Sequence, residues 1–213
     1  MFNKIVKVAK PDTKPSEELI LNSALKVFTR RGFAAARMEE IAKEAGINRA
    51  LLHYYFRDKE TMFNLIFETQ FKEFFSGIGT ILNTNKPLLD KIREIVSHEI
   101  DVLTRHPDLP RFIITEVALQ PERLIQYGQK MGINPRQILL IFNQQVEDEV
   151  RQGKIIQIEG RQLLMNIMSL CVYPFAAKPI IKTMMQMDEN TFDHMMQKRK
   201  DGVYQFIINA ITP

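Results

Sequence analysis

Between residues 48 and 59 the chain reads Asn48-Arg49-Ala50-Leu51-Leu52-His53-Tyr54-Tyr55-Phe56-Arg57-Asp58-Lys59. On a helix, Leu52 and Phe56 fall together on one face with Ile47 just ahead of them. Arg49, Ala50, Leu51, His53, Tyr54 and Tyr55 are then left facing outward or sideways. Guanidinium, imidazole and phenol groups on one exposed face are donors suited to phosphate oxygens and base edges. The alternative reading of Tyr54 and Tyr55 is as core aromatics. Lys59 opens the next helix, where free backbone N–H groups already favour an anion. Little else in the chain offers chemistry. His53, His98, His106 and His194 are scattered without metal-ligand spacing. No phosphate loop, nucleophile elbow or paired-carboxylate motif is present, so the expectation is no enzyme, no metal and no cofactor. Cys171 has no partner for an intramolecular disulfide.

The elements that must hold this segment are helical. Ser16, followed by Glu17 and Glu18, has the signature of a helix start, and Ile20, Ala24, Val27 and Phe28 keep one face apolar until Gly32. Met38, Ile41, Ala42 and Ala45 define a second helix that Gly46 stops, and Asn48 caps a short third. Three short helices with a glycine turn between the second and third form a helix-turn-helix. Asp58 caps a fourth helix carrying Phe63, Phe67, Phe71 and Phe74 as a continuous stripe. Charge follows the same division. Residues 1–60 hold 12 Lys and Arg against 8 Asp and Glu, whereas the remainder holds 17 of each, so the whole net charge of +4 lies in the first part. A basic small domain on a neutral large one points to a polyanion partner for the first alone.

Glu39-Glu40-Ile41-Ala42-Lys43-Glu44-Ala45-Gly46-Ile47, the Asn48–Phe56 segment and the trailing Arg57-Asp58-Lys59-Glu60 together resemble the TetR (tetracycline repressor-like) family over about residues 16–66. The resemblance implies a dimeric, ligand-responsive transcription regulator on operator DNA, with a repressor the expected sense. It places Arg49, Ala50 and Leu51 against base edges and His53, Tyr54, Tyr55 and Lys59 against the DNA backbone. Asn48 and Arg37 complete the DNA-binding set. Two departures stand out. The family usually places Thr or Ser just before the second helix, where this chain has Ala36-Arg37. Arg37 can supply the phosphate contact but not the cap, which predicts a frayed helix start. His53 and Tyr55 also exchange the family's usual order of Tyr and His.

The expected architecture is all-α: a basic arm over residues 1–15, the helix-turn-helix domain over 16–60, and a larger helical domain over 61–213 for effector binding and dimerisation. Leu88, Ile92, Ile95 and Val102 mark a fifth helix, residues 109–120 a sixth and Glu122–Lys130 a seventh. Asn134-Pro135-Arg136-Gln137 opens an eighth, and Arg161–Ala177 is apolar nearly all round, with a kink expected at Tyr173-Pro174. A last helix runs over about Glu189–Ile211. Glu99 and Glu116 sit in apolar stripes, where a carboxylate is costly without a partner. They are read either as structural ion pairs or, with Tyr127, Met165 and Met168, as the pocket of a small, largely apolar effector. Cys171, Phe192, Met196, Val203 and Phe206 are the candidate dimer contacts. Between Leu170 and Val172, Cys171 reads first as an ordinary core residue. No stretch reaches the roughly 18 uninterrupted apolar residues of a membrane span, and Met1–Lys10 lacks the apolar run of a signal peptide. No membrane partner and a cytoplasmic location are therefore expected. A DNA-binding protein of this fold that answers to a protein partner, or acts architecturally without a ligand, is the alternative.

Overall fold

The structure, a computed structural model, describes residues 17–117 and 121–213, with the side chains of 115–117, 123 and 124 outside the description. The arm over 1–15, the Ser16 cap and the end of the sixth helix fall outside it. Every regular element among the described residues is an α-helix. The first three, α1 (Glu17–Arg31), α2 (Met38–Glu44) and α3 (Arg49–Tyr55), pack against one another and against the start of α4 (Lys59–Leu82). Glu17 and Glu18 in the first turn of α1 and Arg30 and Arg31 in the last match the helix dipole. Gly46 takes φ 68° between α2 and α3, and a Cβ there would meet nothing within 4 Å. The glycine therefore serves the left-handed backbone of the turn rather than any shortage of space.

Caps fix the helix starts. Asn48 Oδ1 accepts from the Leu51 N–H at 2.8 Å, and Asp58 Oδ1 accepts from the Thr61 N–H at 2.8 Å. At α2 the expected fraying is countered, because the Glu40 carboxylate reaches back to the Arg37 N–H at 3.2 Å. Half of a capping box thus replaces the missing Thr or Ser. Arginine has no acceptor with which to supply the other half.

Two hydrophobic cores share α4. Ile20, Val27, Phe28, Ile41, Leu52, Phe63, Phe67 and Phe71 form the first, which also takes in Phe112 from α6 (Leu109–Val117). Phe74, Ile78 and Leu82 enter the second, built on α5 (Leu88–Arg105), α8 (Pro135–Arg151), α9 (Gly160–Ala176) and α11 (Glu189–Ile211). The cores therefore meet inside α4, between Phe71 and Phe74, rather than at residue 60. The helix α7 (Glu122–Lys130) lies against the first core through Tyr127.

Sequence periodicity did not anticipate α10 (Lys178–Met184), a seven-residue helix with no buried side chain. The axis turns by 71° between α9 and α10. Pro174 is accommodated inside α9, and the bend falls at the Ala177 break that follows it. No single helix among the described residues is long and apolar enough to cross a membrane.

Candidate nucleic-acid interface

The third helix has one buried side and one bare side. Leu52 and the capping residue Phe56 are buried, while Asn48, Arg49, Ala50 and His53 are exposed and Tyr54 is 79% exposed. Leu51 and Tyr55 are half-buried, and Tyr55 packs on the first core with its ring 5.5 Å edge-on from that of Tyr54. Packing thus fixes α3 through Leu52 and Phe56 and leaves Asn48, Arg49, Ala50, His53 and Tyr54 to solvent.

A shallow cleft of about 420 Å³ runs beside α3, lined by Arg37, Glu39, Arg49, His53, Arg57 and Lys59 among others. Within it Arg49 Nη1 donates to Glu39 Oε1 at 2.7 Å, and Arg49 Nε lies 3.4 Å from His53 Nε2. The Asp58 carboxyl is held below its usual range by the backbone and side chain of Thr61. Its negative charge is spent on the N-terminus of α4. Arg37 is exposed at the cleft rim, as a phosphate contact requires.

Lys59 departs from the reading of it as a free phosphate ligand. Its ammonium donates to the carbonyls of Phe33, Ala34 and Ala36 at 2.8, 3.0 and 3.1 Å and lies 4.7 Å from the centre of the Phe33 ring. All three of its hydrogens are occupied. It satisfies carbonyls left over where α1 ends at Gly32, and so ties the α1–α2 turn to the start of α4. The orphan carbonyls that follow a helix-ending glycine are the signal that could have found this role. Glu39 and Arg57 also line the cleft, and periodicity alone gave no reason to single them out.

Among the described residues, no cleft brings the candidate effector residues together. Glu99 is fully buried with neither carboxylate oxygen hydrogen-bonded, and no described cleft opens onto it. Burial pushes its carboxyl up to about 7. Tyr127 donates its hydroxyl hydrogen to Asn64 Oδ1, and its ring is tilted against that of Phe67 with the centroids 4.5 Å apart. Met165 is 59% exposed on the outside of α9, and Met168 is half-buried beside the second core. The Glu116 side chain lies outside the described residues. What the structure does place beside α4 is a cleft of about 480 Å³ between its C-terminal half and α8, lined by Phe75, Gly79, Thr80, Gln137, Ile138 and Ile141 among others.

The dimer candidates require correction. Cys171, Phe192, Met196 and Val203 are no more than 3% exposed, inside the second core of a single chain. An apolar stripe on a helix marks what is buried without saying whether the same chain or another covers it. Phe206 alone of the set points outward, at 64% exposed. It stands between two clefts of about 420 and 320 Å³ on the outer side of α9 and α11, which also bear Leu170, Met195 and Ala210.

Residues 20–66 match the model of the family described as bacterial regulatory proteins, tetR family. That segment of the chain is of the tetR type. The matched segment runs from α1 into α4 and contains the whole of α2 and α3. A probable HTH-type transcriptional regulator, YttP of Bacillus subtilis (strain 168), is 24% identical over 182 residues, covering 81% of this chain and 83% of the relative. The nucleoid occlusion factor SlmA of Mannheimia succiniciproducens is 21% identical over 202 residues, covering 94% and 89%. Among solved structures, the ketosteroid transcriptional regulator KstR2 of Mycobacterium tuberculosis superposes with a TM-score of 0.68 at 16% identity, covering 96% of this chain and 97% of that one. The tetR fold thus extends through the C-terminal helices as well as the matched segment. The relatives include transcription regulators, and the segment this chain shares with the family model is the helix-turn-helix part.

Proposed function

We propose that this chain is a tetR-family transcription regulator, a repressor, that binds a near-palindromic operator as a two-fold dimer and is released by a small, largely apolar effector. The observation that carries the DNA-reading part is the split of α3, with Leu52 and Phe56 packed inward and Asn48, Arg49, Ala50, His53 and Tyr54 bare. Arg49 reads a base, with guanine O6 and N7 the fitting acceptors, and Leu51 meets a thymine methyl. Tyr54, Tyr55, His53 and Arg37 contact phosphate. The basic first 60 residues supply the sequence-independent attraction, and the site of action is the cytoplasm. Dimerisation through α9 and α11 is supported by the bare apolar strip around Phe206.

The cleft beside α4 is the effector site that the geometry favours. Its size suits a small molecule, and its walls combine Phe75, Ile138 and Ile141 with the neutral hydrogen-bonding groups of Thr80, Asn83 and Gln137. A ligand wedged there pushes on the half of α4 that lies farthest from Lys59. Because α4 belongs to both cores, that push tilts the DNA-binding heads and spoils their separation. Gly79→Met fills the cleft, since a Cβ at Gly79 already lies 3.6 Å from Ile138 Cδ1. A compound that raises the melting temperature of the wild type should leave this variant unmoved while DNA affinity stays within a few fold. An unchanged response in the variant would remove the cleft from the account.

A second reading is favoured by the length of the match to the nucleoid occlusion factor, which spans nearly the whole chain. In that reading the DNA-binding heads answer to a protein partner or act architecturally. A compound screen in which nothing shifts either melting or DNA affinity would select it.

A further inference from the structure

Glu39 is an acid on a surface that meets a polyanion. It lies in the first turn of α2, its side chain 62% exposed, and it pairs with an Arg49 side chain that is 60% exposed. An ion pair so exposed contributes little to folding, and a carboxylate facing phosphates weakens binding to any duplex. Its position calls for a reason other than stability.

The geometry points to Glu39 as a specificity-determining residue that holds the Arg49 guanidinium for a base edge and against capture by phosphate. This rests on the reading of α3 as the DNA-contacting helix. Arg49 Nη1 donates to Glu39 Oε1 at 2.7 Å. On the other side Arg49 Nε lies 3.4 Å from His53 Nε2, and His53 Nδ1 lies 3.2 Å from the Arg57 carbonyl oxygen. A carbonyl only accepts, so Nδ1 carries the hydrogen and Nε2 offers its lone pair to Arg49. The imidazole in this arrangement is neutral and acts as an acceptor. Glu39 and His53 thereby engage two of the five guanidinium hydrogens and fix the plane of the group. Three hydrogens stay free, enough for a bidentate contact with guanine O6 and N7. A phosphate competing for the same hydrogens brings a full negative charge up to the Glu39 carboxylate, whereas a guanine edge brings none. The penalty falls on the wrong ligand and spares the right one.

The test compares wild type, Glu39→Gln, Arg49→Ala and the double variant by fluorescence anisotropy over a range of salt. The probes are a duplex that the wild type enriches from a random pool and a scrambled duplex of the same composition. Glu39→Gln should bind the scrambled duplex about tenfold tighter while its affinity for the enriched duplex changes less than about threefold. In the Arg49→Ala background the same substitution should leave the ratio of affinities unchanged. Equal tightening on both duplexes, or an equal loss of discrimination with and without Arg49, overturns the role of Glu39. A wild type that enriches no sequence overturns the DNA-reading assignment itself, before any variant is made.

Discussion

Glu99 is a carboxyl sealed into the second core, and its chemistry is decided by burial. The Cys171 thiol lies beside it and draws the carboxyl down by less than burial pushes it up. The group titrates near 4.5 when unfolded and at about 7 when folded. Between those values the folded chain holds more protons than the unfolded one, so stability falls as pH rises through that window and levels off above it. The full span is worth up to about 3 kcal/mol. Glu99→Gln should therefore match the wild type near pH 5 in urea unfolding and exceed it near pH 8, and a variant that is less stable at pH 8 would contradict this. Lys59 supports a second residue-scale prediction, because its three hydrogen bonds to carbonyls make it structural. Lys59→Met should lower the unfolding free energy by roughly 2 kcal/mol without DNA present, and an unchanged urea midpoint would return Lys59 to the phosphate role. Asn48 and Arg49 were legible in the sequence because a helix cap and an exposed helix face follow from spacing alone. Lys59 was not, since its partners lie more than 20 residues earlier in the chain.

The element on which the proposed regulation turns is α4, roughly 36 Å long at the usual helical rise. Lysines pin it at both ends. Lys59 ties its start to the α1–α2 turn, and the buried Lys91 donates to the Leu82 carbonyl at 2.8 Å and to Gln145 Oε1 at 2.9 Å. Burial draws the Lys91 ammonium below its ordinary value. In the C-terminal part of α4, α5 closes on it at Gly77, where a Cβ would lie 2.1 Å from His98 Cε1 while His98 Nε2 is held 3.0 Å from the Phe74 carbonyl oxygen. Gly77→Ala should cost about 1–3 kcal/mol by overpacking, and His98→Ala added to it should recover most of that loss. Failure to recover would mean that the close approach is not what limits this contact. Of the elements, α4 was readable from its phenylalanine stripe, whereas α10 was not. Seven residues with no buried side chain leave no periodic signal to read.

At the scale of the whole molecule, the account joins a basic head to a neutral body and doubles both. The strip around Phe206 is the part of the body left bare, and Phe206→Glu should shift a dimer to a monomer in sedimentation at micromolar concentration. A wild type that is already monomeric there would exclude the two-fold arrangement. The choice of α9 and α11 followed from their apolar content, but the contacts first assigned to them were those of the chain's own core. Outward and inward apolar faces look alike until the other helices are in place. Two α3 helices in a two-fold dimer should meet successive major grooves about 34 Å apart. The most direct measurement is to retain double-stranded DNA from a random pool on the full chain at stated salt and sequence what is enriched. The account predicts an inverted repeat whose half-sites lie about one helical turn apart, or a multiple of it, with enrichment lost in Arg49→Ala. A pool that stays random on the wild type, or a single half-site without symmetry, would contradict it.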